Sequence, residues 1–227
     1  MSELPFRYDP AHTALVVVDV QNDFCSPDGS LGIRGADTSA AVAMVPRLVT
    51  LIDAARAAGT PVIFIQTIHD ETNDTEEWLG RIDAGPGTER PGITCRTGSW
   101  GGEFYGVVPE PTDHIVIKYR YSAFVGTNLN ILLRTLGVRS VLFTGVATEI
   151  CVESSLRDGL FNEYFVSLVP DCSASYSQAA HNASIDVVSR QFGTIVSGTE
   201  LAELWAGIPA ADSAVDPAAS APELASA

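Results

Sequence analysis

The sequence predicts an α/β protein of three layers (α/β/α), with helices on both faces of a doubly wound, mainly parallel sheet of six strands. Three observations lead there. Short apolar runs rich in β-branched and aromatic residues alternate with longer amphipathic segments. The runs are as short as strands of a parallel sheet. Glycines follow the helical segments where a left-handed residue would end a helix.

The first strand reads Thr13-Ala-Leu-Val-Val-Val-Asp19, and a helical stretch follows from about Thr38 to Gly59. Further strands are expected at Pro61–Gln66, His114–Lys118, Ser140–Gly145, Tyr164–Val169 and Gly193–Val196. Helices fit Thr127–Leu136, stopped by Gly137; Glu149–Phe161; and Ser177–Phe192, stopped by Gly193, each Gly supplying the left-handed position. Residues 70 to 112 break the pattern with Gly, Pro, Thr and acidic residues plus Trp78 and Trp100. Such a stretch is expected to run as an ordered excursion over the sheet edge, where long aromatic loops often cover a site. One domain is expected over residues 1–206, and the Ala/Pro/Ser-rich residues 207–227 are expected to be disordered.

A formal net charge of −15 repels phosphate backbones and anionic bilayers, so neither nucleic acid nor membrane is an expected partner. No apolar run approaches the roughly 18 residues that span a bilayer, and no basic segment precedes an apolar one at the start. A cytoplasmic protein is expected. Cys25, Cys95, Cys151 and Cys172 have no C-x-x-C spacing and do not cluster with the four histidines, which points away from zinc knuckles and disulfide scaffolds. Phosphate-binding glycine loops and the serine-hydrolase elbow are absent.

In an open α/β sheet ligands bind beyond the carboxyl ends of the strands, so polar residues that end apolar runs carry the information. Asp19 ends the first strand, Lys118 ends "HIVIK", and "TGVATEIC" leads from a strand to Cys151. Alone, such an Asp is more often a loop-stabilising group and such a Lys a solvated one. Cys151 has a stronger case: with Thr148 as N-cap it falls at the third helical position, where free N–H groups and the helix dipole favour a thiolate. A nucleophile, a carboxylate and an ammonium on one rim fit acyl transfer.

The stretches "ALVVVDVQNDF", "VIKYRYSAF" and "LFTGVATEICVESSLRDG", in that order, resemble the isochorismatase-like cysteine hydrolases, over about residues 8 to 205. The resemblance implies a Rossmann-like fold and a triad of Cys151 as nucleophile, Asp19 as general base and later acid, and Lys118 as charge stabiliser. It also implies a cis peptide at Val146–Ala147, with the N–H groups of Ala147 and Cys151 as an oxyanion hole. No cofactor is implied, and a homodimer or homotetramer is. True isochorismatases typically lack the cysteine, so Cys151 favours amide hydrolysis. Nicotinamidases hold a metal through an Asp and two His after the second strand, where "FIQTIHDETND" has only His69; no metal is expected.

Within the family, "RYS", "GSW" and "CVESSLRDGLFNEYF" look most like the ureidoacrylate amidohydrolases, with carbamoyl-amide hydrolases as neighbours. The expected substrate is a small ureido or carboxamide compound. Its binding residues would be Gln21, Phe24, Trp100, Arg120, Tyr121 and Ser122, with Arg120 receiving a carboxylate. Alternatives are a nicotinamidase-like or lactam hydrolase of the same family, a scaffold that has lost catalysis, and a thiol redox protein with Cys172 as the resolving cysteine.

Overall fold

Six strands, β1 (Thr13–Val18), β2 (Val62–Thr67), β3 (His114–Lys118), β4 (Ser140–Val146), β5 (Phe165–Ala174) and β6 (Thr194–Ile195), pair into one sheet. Its order is β3-β2-β1-β4-β5-β6, and every pairing is parallel. The computed structural model describes residues 6–82 and 94–208. The chain enters at the centre, steps out to β3, and returns to β4 on the other side of β1. That reversal opens a crevice beyond the carboxyl ends of β1 and β4, the position where doubly wound sheets bind ligands.

Hydrophobic pattern follows position in the sheet. Every residue of β1 and β4 is buried, because helices cover both faces. The edge strand β3 alternates, with Val116 and Lys118 turned in and Ile115 and Ile117 half-covered or exposed. β5 runs past the expected end at Val169: its register with β4 shifts between Phe143 and Gly145, and Ser173–Ala174 pair again after Pro170, which has no N–H to give a ladder.

Eight helices flank the sheet among the described residues: α1 (Asn22–Cys25), α2 (Ser30–Ile33), α3 (Ser39–Ala57), α4 (Glu76–Gly80), α5 (Leu129–Thr135), α6 (Glu153–Phe161), α7 (Gln178–Gln191) and α8 (Gly198–Trp205). One core joins Leu15, Val17, Phe64 and Leu142 to Met44, Leu48 and Leu51 of α3 and Leu201 and Trp205 of α8. The opposite core joins Val16, Val18, Ile65 and Phe143 to Leu129 and Leu133 of α5, Leu156 of α6 and Val188 of α7. Sequence reading missed α8, although Ser197 and Glu200 form a full capping box, a signal visible as Ser-x-x-Glu before Leu201. It also missed α1, α2 and α4, which are too short for periodicity to register.

Gly137 ends α5 as expected, with φ +69. Gly193 does not: it lies outside the left-handed region, and glycine is needed there because a Cβ would sit 2.3 Å from the Val166 carbonyl oxygen. In the 70–112 excursion, α4 and a short 3-10 turn at Trp100–Gly102 are formed, while residues 83–93 lie outside the described residues. Of the expected tail, residues 209–227 also lie outside them, and Ile208 packs against the α3/α8 core.

Three buried thiols link the core to pH. Burial pushes Cys25 and Cys172 from 9.0 up to about 12 and raises Cys95 as well. Above pH 9 the unfolded chain therefore gives up protons that the folded chain keeps. Their contribution to stability is whole below pH 9 and lost as the pH climbs toward 12. Thermal melts between about pH 8 and about pH 11 should show a Tm that falls above pH 9, less steeply in Cys25→Ala. A Tm that rises over this interval would contradict the burial of these thiols.

Candidate active site

Asp19, Thr67 and Lys118 stand at the ends of three neighbouring strands, each about 4.8 Å from the next. Asp19 leaves β1 in a left-handed conformation, φ +53, which costs a non-glycine residue roughly 1–3 kcal/mol and has to be held by its surroundings. The surroundings are specific. The Asp19 N–H donates to the Ile65 carbonyl at 3.1 Å, and the Thr67 hydroxyl donates to Asp19 Oδ1 at 2.9 Å. Gln21 then clamps β2 from both sides: its Oε1 accepts from Thr67 N and its Nε2 donates to Thr67 O, each at 2.8 Å.

The lysine stem bridges the gap left by β2. Lys118 Nζ reaches 2.7 Å from Asp19 Oδ2, donates to the Arg120 carbonyl at 2.9 Å, and lies 3.5 Å from Cys151 Sγ. Asp19 and Lys118 are each only 1% exposed. Oδ2 is the oxygen that faces the ammonium, while Oδ1 accepts from Thr67.

β4 delivers the cysteine. The Val146–Ala147 peptide is cis, and the chain then winds as a π turn, Thr148–Val152, before continuing as α6. The Ala147 carbonyl accepts from Ile150 N at 3.0 Å and from Val152 N at 3.2 Å, bracketing Cys151. Ser155 Oγ donates to the Cys151 carbonyl at 2.6 Å and fixes the turn from the next one. Thr148 is not the N-cap: Ala147 holds that position without a side-chain bond, and the Thr148 hydroxyl pairs with His181 Nδ1 at 2.8 Å. Cys151 is thus the fourth residue of the turn, not the third of an α-helix.

Nor is the cysteine a ready thiolate. Burial pushes its thiol up to about 12, against the pull of Lys118, and the Asp19 charge adds to the rise. Lys118 moves the other way from a buried amine. Burial alone would lower it, but Asp19 and Cys151 hold it above its ordinary value, so it stays charged. A thiol, a carboxylate able to take its proton, and a fixed ammonium are the groups that proton-coupled nucleophilic attack needs.

Above them opens a cavity of ≈ 170 Å³. Of the residues expected to contact substrate, Phe24, Arg120 and Tyr121 line it, together with Ala147 and the three polar groups. Gln21, Trp100 and Ser122 do not. Gln21 is spent on β2 and the Gly102 carbonyl, Ser122 Oγ accepts from Phe124 N, and Trp100 is 51% exposed. The tryptophan that faces the cavity is Trp78, edge-on to Tyr121 at 4.8 Å, with Thr75 capping its short helix. Tyr176 completes the aromatic wall, its hydroxyl donating to the Phe24 carbonyl at 3.0 Å.

Thr67 was legible by the rule that found Asp19, a polar residue closing an apolar run; Trp78, Arg81 and Tyr176 carried no such mark. His69 lines the cavity buried and neutral, lowered by burial, with Nδ1 3.1 Å from Asn73 Oδ1 and 3.2 Å from Asp74 Oδ1. No group of three or more His, Cys, Asp or Glu able to hold a metal occurs among the described residues. Cys172 belongs to the α3/α8 core, whereas Cys151 packs on the opposite face, so the two do not form a redox pair. All four cysteines are free thiols.

Comparison with known proteins gives the family. A family model described as an isochorismatase domain matches residues 13–200. The ureidoacrylate amidohydrolase RutB of Enterobacter sp. strain 638 is 35% identical over 219 residues, covering 86% of this chain and 92% of that protein. Among solved structures, a cysteine hydrolase from Pseudomonas syringae pv. phaseolicola superposes with a TM-score of 0.78 at 26% identity, covering 91% of this chain and 99% of the other. N-carbamoylsarcosine amidase from Thermoplasma acidophilum does so with a TM-score of 0.66 at 28% identity, covering 82% and 96%. A match along most of the chain, joined to a parallel sheet of the same architecture, makes this protein a member of the isochorismatase family.

Proposed function

We propose that the protein is a cysteine-dependent amidohydrolase that cleaves the C–N bond of a small ureido or carboxamide compound through a thioester. The observation that carries this reading is the contact of Lys118 Nζ with both Asp19 Oδ2 and Cys151 Sγ beside a cavity. The names of its relatives, a ureidoacrylate amidohydrolase and an N-carbamoylsarcosine amidase, support a ureido or N-carbamoyl substrate.

The chemistry follows from the protonation states. Because the thiol is raised, Cys151 is protonated at neutral pH, and attack is coupled to transfer of its proton to Asp19. Sulfur adds to the carbonyl carbon, and the oxyanion is received by the N–H groups of Ala147 and Cys151. As the C–N bond breaks, the proton on Asp19 passes to the departing nitrogen, which leaves as ammonia or an amine. Water then gives a proton to Asp19 and attacks the thioester carbon; the C–S bond breaks and the sulfur recovers the proton. Lys118 keeps its charge throughout and offsets the negative charge that moves between carboxylate, sulfur and oxygen. No metal enters this course. A cytoplasmic homodimer or homotetramer is part of the same proposal, and the four free thiols suit a reducing compartment.

Ammonia release from ureidoacrylate, N-carbamoyl amino acids and nicotinamide is the direct test. Cys151→Ala should abolish turnover with Tm nearly unchanged, and Asp19→Asn should prevent acylation. Lys118→Ala should lose at least ~10²-fold in kcat and also lower Tm, since it strands a buried carboxylate. If Cys151→Ala retains more than a tenth of wild-type turnover, the reading is wrong.

Thr67 generates a second expectation. Thr67→Val keeps the side-chain shape but removes the donor to Asp19, a bond to a charged group worth about 1.5–3 kcal/mol, so kcat should fall about 10- to 100-fold with little change in KM. Thr67→Ser should restore most of it. An active Val variant, or a Ser variant as poor as Val, would leave Thr67 with no part in holding the base.

A further inference from the structure

The charge of the cavity opposes that of the protein. The chain carries a formal −15, yet among the described residues the cavity lining includes the cations Arg81, Lys118 and Arg120 and, as carboxylate, only Asp19. Asp19 is already matched by Lys118 at 2.7 Å. The guanidiniums of Arg81 and Arg120 therefore add a positive field to the cavity, which focuses anions and repels cations.

Two of them are built as a unit. Arg81 lies 3.6 Å above the Trp78 ring and Arg120 4.9 Å from the same ring, so one indole carries both. Each is oriented by neutral acceptors. Arg81 Nε donates to Tyr121 Oη at 2.8 Å and its Nη1 to the Trp78 carbonyl; Arg120 Nη1 donates to the carbonyls of Asn73, at 3.1 Å, and Tyr119, at 2.7 Å. A guanidinium has five N–H donors, and these bonds leave the Nη2 groups of both without a partner among the described residues. No carboxylate among the described residues forms an ion pair with either.

We propose that Arg81 and Arg120, held on Trp78, form the subsite for a substrate carboxylate, so that the enzyme acts on small anionic ureido or N-carbamoyl acids and discriminates against their uncharged amides. This rests on the reading of Cys151 as the nucleophile and adds the charge class of the substrate. Arg81, on the residue after α4, is the specificity-determining group that sequence reading did not single out; Arg120 contributes from the segment after β3. Volume sets the size: ≈ 170 Å³ admits a compact acid and excludes a peptide. Losing the carboxylate leaves desolvated guanidinium donors unpaired, the condition under which polar sites reject an analogue most strongly.

Iodoacetate and iodoacetamide deliver the same reactive carbon to a thiol and differ in charge, so their relative rates on Cys151 report the subsite without a substrate in hand. Rates would be followed by intact mass, with glutathione as the free-thiol reference. The ratio of iodoacetate to iodoacetamide rate on Cys151 should exceed that on glutathione at least about tenfold, and fall toward it in high salt. In Arg81→Gln the ratio should drop to near the reference, and in Arg81→Lys it should recover in part. A ratio equal to that of glutathione, a ratio unchanged in Arg81→Gln, or no labelling of Cys151 by either reagent overturns the proposal. The amidohydrolase reading fails on a different result, ammonia release that survives complete alkylation of Cys151.

Discussion

The ion pair between Asp19 and Lys118 is the constraint on which the rest of this site depends. Both groups are almost wholly out of water, where an isolated charge costs several kcal/mol and breaking one partner from the other is strongly destabilising. Keeping them charged requires that each find its full set of partners. Lys118 finds a carboxylate, a carbonyl and a sulfur, and Asp19 finds the ammonium and the Thr67 hydroxyl. These partners come from the ends of β1, β2, β3 and the turn after β4, so the pair is compatible with one register of the sheet. A slip of one residue would turn Lys118 to the other face and leave the carboxylate alone.

The same arrangement bears on the protonation of the partly buried cysteine. In a site with a free cation beside it, Cys151 would titrate low; here the cation is already neutralised by Asp19, burial wins, and the thiol stays protonated. Burial is the larger cause of the raised thiol and the Asp19 charge adds to it; in the proposed mechanism the same carboxylate removes the proton. A resting site of this kind keeps a reactive anion out of the cavity until a carbonyl carbon is present, which suits a thiol that would otherwise be open to oxidation.

A second electrostatic layer surrounds the first. The outer wall, with Arg81 and Arg120 both against Trp78, comes from the segments after β2 and β3 and not from the sheet. Loops on a rigid scaffold carry specificity in α/β proteins because they vary without disturbing the core. In the proposed reading, the floor of strand ends serves the reaction and the rim of arginines the choice of substrate.

By itself the sequence determined the strands, the layers and the three polar residues at the strand ends. Buried parallel strands need continuous apolar runs, and a charged residue closing such a run is conspicuous in one dimension. Asp19 and Lys118 were legible for that reason, Cys151 by following a strand into a turn, and β1, β3 and β4 nearly to the residue. Other features were settled only in three dimensions. Gln21 follows the aspartate closely in the chain, but its amide is consumed by β2, a partner 46 residues away. Trp78 and Trp100 are equivalent as letters in the same excursion, and packing turns only the first to the cavity. The protonation of Cys151 was misjudged from helix position, since burial and the Asp19 charge act through space and outweigh the dipole of a single turn. Local pattern reports which residues are apolar and where the chain can bend; the pairing of charges depends on contacts between segments far apart in sequence, and only the folded chain specifies those.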